Sequence, residues 1–506
     1  MIARGGRWLG RMATALFARV APPRSKGRRH LERWLVQPVS NAGARAALRV
    51  REACCRDPAE KRETERRRNT RRDWMGLSGP HDRSSASLAP PLPRLLLVFH
   101  EAAGGVSRTT TDLLGRIHRD FECFLLIAKP HRVRLLRYGP RGLDPLGIWW
   151  LEQRWSHRRS HSPEHRAIYR AVLERLDPRV VHVRHLLGHT DDLIEVCDHH
   201  RVPLVLSLHD FYFVCPTVHL LDGEDRHCAG RCTVGSSQCR LPINWLDDLP
   251  VLRAGYLEQW RDRVRQMLPL VSTFVATSQH SRSLMMDVYP ELRTVDFRLI
   301  EHGRDFDRQE HLAAAPSASD PVRILILGYI GYHKGADFIR RLKEHDARRG
   351  KRLQLHFLGT IDSSLSGLGT AHGPYRRDTI SRQVAAIRPS FVGLFSTWPE
   401  TYSHTLTEAW AMGIPVLTSG LGALGERVLT HGGGWILPLD DVSRAYEMIL
   451  RIAQDPNEYG REAAQSRLDG IPGTHTMALA YEELYRNLIR NTETSKGRWQ
   501  TNHETT

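Results

Sequence analysis

The feature that most constrains this chain is a pattern that repeats from residue 94 onward, in which short apolar runs alternate with amphipathic stretches. "RLLLVFH", "FECFLLIA", "RVVHVRHLL", "VPLVLSLHD", "TFVATS" and "FRLIEHG" form a first set, spaced by helical patterns such as "HTDDLIEVCDHH" and "SQHSRSLMMDVY". A strand that is apolar on both sides must be covered on both faces. Strands alternating with helices achieve this as a parallel sheet with helices above and below it. An Ala-, Ser- and Pro-rich break, "RQEHLAAAPSASDP" at 308–321, interrupts the series. It then restarts as "VRILILGYIG", "LQLHFLGT", "SFVGLFST", "IPVLTSG" and "GGWILPL". The expected fold is α/β, with two doubly wound Rossmann-like domains over residues 92–307 and 320–472. "HTMALAYEELYRNLIR" predicts a helix within 473–491 that packs back. Ligands of such sheets bind at the carboxyl ends of the strands, so the cleft between two facing domains is the expected site.

Charge matters here only once it is located. The net +17 suggests nucleic acid, but residues 1–90 hold 21 Lys and Arg against 8 Asp and Glu, a surplus of 13 that leaves +4 for the other 416 residues. The basicity belongs to an N-terminal extension, and no nucleic-acid partner is expected for the body. Within residues 1–30, Trp8, Leu9, Met12, Leu16, Phe17 and Val20 share one half of a helical wheel and Arg4, Arg7 and Arg11 the other. That pattern suits a helix on an anionic membrane surface, and an organelle transit segment or a functionless extension fits too. No apolar stretch reaches the roughly 18–20 residues that span a bilayer. No secretory pattern is seen, so a cytoplasmic location, with peripheral contact on the inner face of the membrane, is expected. Of the eight cysteines, Cys215, Cys228, Cys232 and Cys239 cluster at a spacing compatible with structural zinc, with His227 as a spare ligand. Reduced loop cysteines are the alternative.

Three loops carry polar chemistry. Gly104 and Gly105 precede a helix, where glycine lets backbone N–H groups approach a phosphate or simply makes a tight turn. In "GYIGYHKGADF", Gly328 and Gly331 precede Lys334, either a phosphate-neutralising cation or a solvated helix-start lysine. "PETYSHTLTEAW", 399–410, reads like the first turns of a helix with Glu400 and Glu408 eight positions apart. Its free N–H groups near Tyr402, Ser403 and His404 suit phosphate oxygens. Glu400 suits sugar hydroxyls and Glu408 a ribose diol. A capped amphipathic helix with a solvated Glu408 is the plainer reading.

"STWPETYSHTLTEAWAMGIPVLTS" resembles the E-x7-E signature of retaining GT-B-fold glycosyltransferases of the family-4 type. "LSLHDFYFVCPT", "FVATSQHSRS", "LIEHGRDF" and "LGYIGYHKGADF" follow the same family order, so the resemblance covers about residues 94–490. It implies a GT-B fold and sugar transfer, with retention, from a nucleotide-diphosphate sugar to a saccharide or lipid-linked acceptor, in cell-envelope polysaccharide synthesis. By resemblance, Gly104, Gly105 and Gly331 lie against the donor, and His209 faces the transferred sugar as a positioning residue. Lys334 clamps the diphosphate, Glu400 holds the sugar, Tyr402, Ser403 and His404 form the turn beneath the diphosphate, and Glu408 binds ribose. No cofactor or catalytic metal is required, since fixed positive groups stabilise the leaving group. One departure stands out: Tyr329 occupies a position where many members carry arginine, leaving His333 or Arg304 to compensate. A GT-B-fold scaffold protein that has lost catalysis is the alternative, and the joint presence of Glu400, Glu408, Lys334 and His209 argues against it. A phosphorylase or sugar-nucleotide epimerase on the same fold matches the motif wording less well.

Overall fold

The computed structural model of the chain describes residues 91–101, 105–140, 142–232, 239, 253–317 and 319–503. These residues all lie within one compact unit. The expected membrane-surface helix in residues 1–30 and the glycine at position 104 fall outside them.

Two sheets organise the unit. The first runs β4-β3-β2-β1-β5-β6-β7-β8, from β1 (Arg94–His100), β2 (Glu122–Lys129), β3 (Arg132–Gly139), β4 (Gly142–Trp150), β5 (Val180–Val183), β6 (Leu204–Ser207), β7 (Thr273–Ala276) and β8 (Phe297–Leu299). The second runs β11-β10-β9-β12-β13-β14, from β9 (Val322–Ile330), β10 (Leu353–Ile361), β11 (Thr370–Ala371), β12 (Phe391–Leu394), β13 (Val416–Thr418) and β14 (Gly434–Ile436). All pairings in the second sheet are parallel. The first sheet departs from the all-parallel expectation at one edge, where β3 pairs antiparallel with both β2 and β4. The strand β3 alternates Arg132, Arg134 and Arg137 with buried Val133, Leu135 and Leu136, so it lacks the continuous apolar run of a covered strand. An edge hairpin tolerates that mixture, because one of its faces meets water.

Strand period divides the cores. Leu96 and Val98 of β1 join one apolar cluster, while Leu95, Leu97 and Phe99 join the cluster on the opposite face. Ile324 and Ile326 of β9 face one core and Leu325 and Leu327 the other. The last helix, Thr474–His503, returns to the first sheet, burying Met477, Tyr481 and Tyr485 against the Leu95 face. Its anchor is polar: Tyr485 Oη lies 2.6 Å from His182 Nδ1, whose Nε2 lies 2.7 Å from Ser207 Oγ. Among the described residues no helix is long and apolar enough to cross a membrane.

Candidate active site

The candidate residues come from the carboxyl ends of strands in both sheets. His209 follows β6, Lys334 follows β9, and Glu400 lies in the loop between β12 and the helix His404–Ala411. That helix is shorter than the sequence suggested: residues 399–403 are loop, and Ser403 enters the helix at φ 71 with no side-chain cap. The loop is spent on crossing to the other domain. Thr401 Oγ1 donates to the His209 carbonyl at 2.9 Å, and Thr277 Oγ1, beyond β7, donates to the Thr401 carbonyl at 2.7 Å. Close by, the Glu426 carboxylate accepts the N–H groups of Gln279 and His280, each at 2.8 Å, at the start of the helix Gln279–Val288. A carboxylate there meets unpaired amides and the positive end of the helix dipole.

Glu400 is buried and ion-paired to Lys334, with Nζ to Oε1 at 2.6 Å. Ser396 Oγ donates to the same oxygen. The backbone under Glu400 is held by a glycine: at Gly422 (φ +59) a Cβ would lie 2.5 Å from the Pro399 carbonyl carbon and 2.7 Å from the Glu400 nitrogen. Lys334 sits in a short turn closed by Gly335, which adopts φ +79 against the Phe395 backbone. The left-handed positions of this loop are Gly328 and Gly335, while Gly331 is extended. Gly105 starts the helix Gly105–Ile117, and a Cβ there would meet nothing within 4 Å.

Glu408 is not the solvated acid of the plainer reading. It is 1% exposed, ion-paired through Oε1 to Arg304, and accepts the Tyr375 hydroxyl on Oε2 at 2.7 Å. Arg304 arrives on the linker between the domains, where its own N–H bonds to the Pro472 carbonyl at 3.2 Å. Burial lowers the Arg304 pKa despite the neighbouring Glu408.

Histidines line the junction. The rings of His209, His302 and His404 stack in a column, with centroids 5.1 and 5.5 Å apart and planes within 12°. Burial, then Arg304, Arg377, Arg427 and Arg108, push the His404 pKa down to about 3. Burial, then Arg184 and His302, hold His209 well below the usual imidazole range. His333 is pushed to about 2 by burial, His219 and Lys334, so it is neutral and cannot replace the charge missing at Tyr329. Arg304 is engaged by Glu408, so neither expected substitute supplies an uncommitted cation.

A depressed histidine pKa means that the unfolded chain binds the extra proton, so its stabilising contribution is complete above pH 6.5 and is lost as pH falls toward 3. We therefore expect the melting temperature to fall between pH 7.5 and pH 5.5, above the range where carboxylates titrate, with His404→Asn showing a flatter profile. A wild-type melting temperature constant over that interval would show that these imidazoles are not desolvated.

Two buried arginines were not singled out from sequence. Arg427 donates to the Tyr402 and Ser403 carbonyls at 3.2 and 3.1 Å and to Thr407 Oγ1 at 2.9 Å, with its guanidinium 4.2 Å from the Tyr402 ring centroid. It pins the turn ahead of the helix from below. Arg184, beyond β5 and fully buried, donates to Thr109 Oγ1 at 3.0 Å, while its Nε and Nη1 have no partner among the described residues. No local pattern marks either one, since "GERV" and "HVRH" are ordinary wording.

Among the described residues no disulfide joins the four clustered cysteines. Among the described residues, the group with metal-ligand distances is instead His161, Asp192 and Glu195, and Arg166 already bonds both carboxylates.

No family model matches the chain. It is 25% identical over 296 residues to WcaC of Escherichia coli (strain K12), named as a colanic acid biosynthesis glycosyl transferase, covering 56% of this chain and 69% of that protein. Among solved structures, sucrose-phosphate synthase from Thermosynechococcus elongatus superposes with a TM-score of 0.55 at 15% identity, over 79% of this chain and 100% of that one. Anabaena HepE, solved in complex with UDP, gives 0.51 at 12% identity over 78% and 100%. A glycosyltransferase from Rickettsia africae gives 0.51 at 12% over 79% and 99%. With two Rossmann-like domains whose strand ends meet at one junction, the chain has the GT-B fold of these glycosyltransferases.

Proposed function

We propose that the chain is a retaining glycosyltransferase. It moves a sugar from a nucleotide-diphosphate sugar to a saccharide or lipid-linked acceptor in polysaccharide synthesis. The observation that carries this reading is the Lys334–Glu400 ion pair, held beside His209 by the loop that crosses between the domains. The likeness to WcaC supports the polysaccharide setting, and the complex of HepE with UDP supports a nucleotide ligand for this fold.

In the reaction, the bond from the anomeric carbon to the diphosphate oxygen breaks. A bond from that carbon to the acceptor oxygen forms on the same face, and the acceptor proton passes to a diphosphate oxygen. Lys334 neutralises the charge that grows on the leaving group, and the N–H groups at the start of the helix His404–Ala411 add to it. Glu400 orients Lys334 and accepts sugar hydroxyls. His209 is kept neutral, which suits hydrogen bonding to the sugar and not proton donation. Glu408 takes the ribose diol alongside Arg304 and Tyr375, since a carboxylate offers about four lone-pair sites. Gly104, Gly105, Gly331, Tyr402, Ser403 and His404 shape the donor side of the site. An anionic membrane surface met by residues 1–30 remains part of the proposal; loss of those residues is expected to reduce liposome binding.

The test is a panel of nucleotide diphosphates and their sugars, read by thermal shift and calorimetry, followed by NMR of the anomeric proton in the transferred product. Stabilisation by one nucleotide and retained configuration are expected. A folded protein that binds none of them would favour an inactive scaffold.

A further inference from the structure

Four cysteines meet at a cavity that has no part in the proposed reaction. Cys215, Cys228, Cys232 and Cys239 line one space of about 290 Å³, with His227 beside them. Cys123 and Cys197, by contrast, are buried singly in the apolar clusters of the first sheet.

Tight turns bring the cysteines together. Asp222 Oδ1 accepts the N–H groups of Glu224 and Arg226 at 2.8 and 2.9 Å. The Leu221–His227 bridge then folds the chain back, so that the Cys228 N–H bonds to the Leu220 carbonyl at 2.9 Å. Ala229 and Gly230 turn left-handed, and the Arg231 N–H closes on the Cys228 carbonyl at 2.8 Å. The Cys215 sulfur lies 3.2 Å from Thr217 Oγ1, which fixes its side chain at the rim of the cavity. Arg261 brings positive charge to the same turns, donating to the Val214 and Gly230 carbonyls at 3.2 and 2.6 Å.

We infer that Cys215, Cys228, Cys232 and Cys239 form a structural zinc site, four thiolates around one tetrahedral ion. Each thiol gives up its proton to solvent as its zinc–sulfur bond forms, and Arg261 offsets part of the net negative charge. Among the described residues no three of these sulfurs lie within 4.8 Å of one another. Binding therefore draws the side chains inward, toward the sulfur spacing of about 3.8 Å set by zinc–sulfur bonds of ~2.3 Å. The consequence reaches the junction: the Cys215 N–H bonds to the Phe211 carbonyl at 2.8 Å, and the Phe211 ring meets Trp398 edge-on at 6.3 Å. The ion would brace the loop that carries His209.

The experiment is metal analysis of the full chain purified without chelator. About one zinc per chain is expected, along with a thiolate-to-cobalt charge-transfer band after cobalt exchange. Cys228→Ser and Cys232→Ser should each lose the metal and melt at lower temperature. If those variants do not fold, the wild-type zinc content and cobalt spectrum decide alone. Folded wild type that holds no zinc after reconstitution and desalting, or that carries these cysteines as disulfides, would overturn the site.

Discussion

Glu408→Ala is expected to destabilise the folded chain by about 3–5 kcal/mol, read as a lower urea midpoint. The reason is the partner left behind. Arg304 and Glu408 each expose about 2% of their side chains, so truncation strands a guanidinium where water cannot solvate it. Tyr375 loses its acceptor in the same step. From sequence alone, this substitution reads mainly as a loss of donor affinity; the buried pair adds a loss of stability. The two effects separate with a second variant. Arg304→Met combined with Glu408→Leu removes both charges and should recover most of the stability, because well-packed apolar replacements of a buried pair are often neutral. Nucleotide binding should stay lost in that double variant. Wild-type stability in Glu408→Ala would show that Arg304 does not depend on this carboxylate.

Lys334→Ala is expected to slow turnover by about 10²- to 10³-fold, equivalent to ~2.7–4 kcal/mol of lost transition-state stabilisation. The effect should fall on kcat more than on KM, because charge on the departing diphosphate grows as the bond breaks. Tyr329 makes the dependence on Lys334 greater. Its ring stacks on that of His333 at 5.8 Å, and His333 is neutral, so this loop carries one cation. Lys334→Arg should restore part of the rate, as it keeps the charge but not the compact ammonium that fits against Glu400. Turnover at the wild-type rate in Lys334→Ala would remove this residue from the reaction.

The two α/β units were legible because their evidence is local. Runs such as Leu95–Phe99 and Ile324–Leu327 are apolar at odd and even positions alike, and only a sheet covered on both faces can bury both sets. The hairpin β3–β4 at the sheet edge was not legible, since arginines alternate with apolar residues along β3, and an antiparallel hairpin at an edge needs only one buried face.

The sequence by itself determined which residues stand beyond strand ends, and so which polar groups could meet: His209, Lys334 and Glu400 are set by spacing from apolar runs, and Glu408 by its place in the helix that follows. Only the tertiary structure decided their partners. Glu408 is joined to Arg304 and Tyr375, and Glu400 to Lys334, from segments 33 to 104 positions away, while Arg184 and Arg427 carry no pattern that foretells burial. Periodicity records which side of its own strand or helix a residue faces. Whether a charge on that side meets water, an ion partner or a stacked ring depends on which distant segment covers it, and that is set by how the two sheets and the returning linker close over the junction.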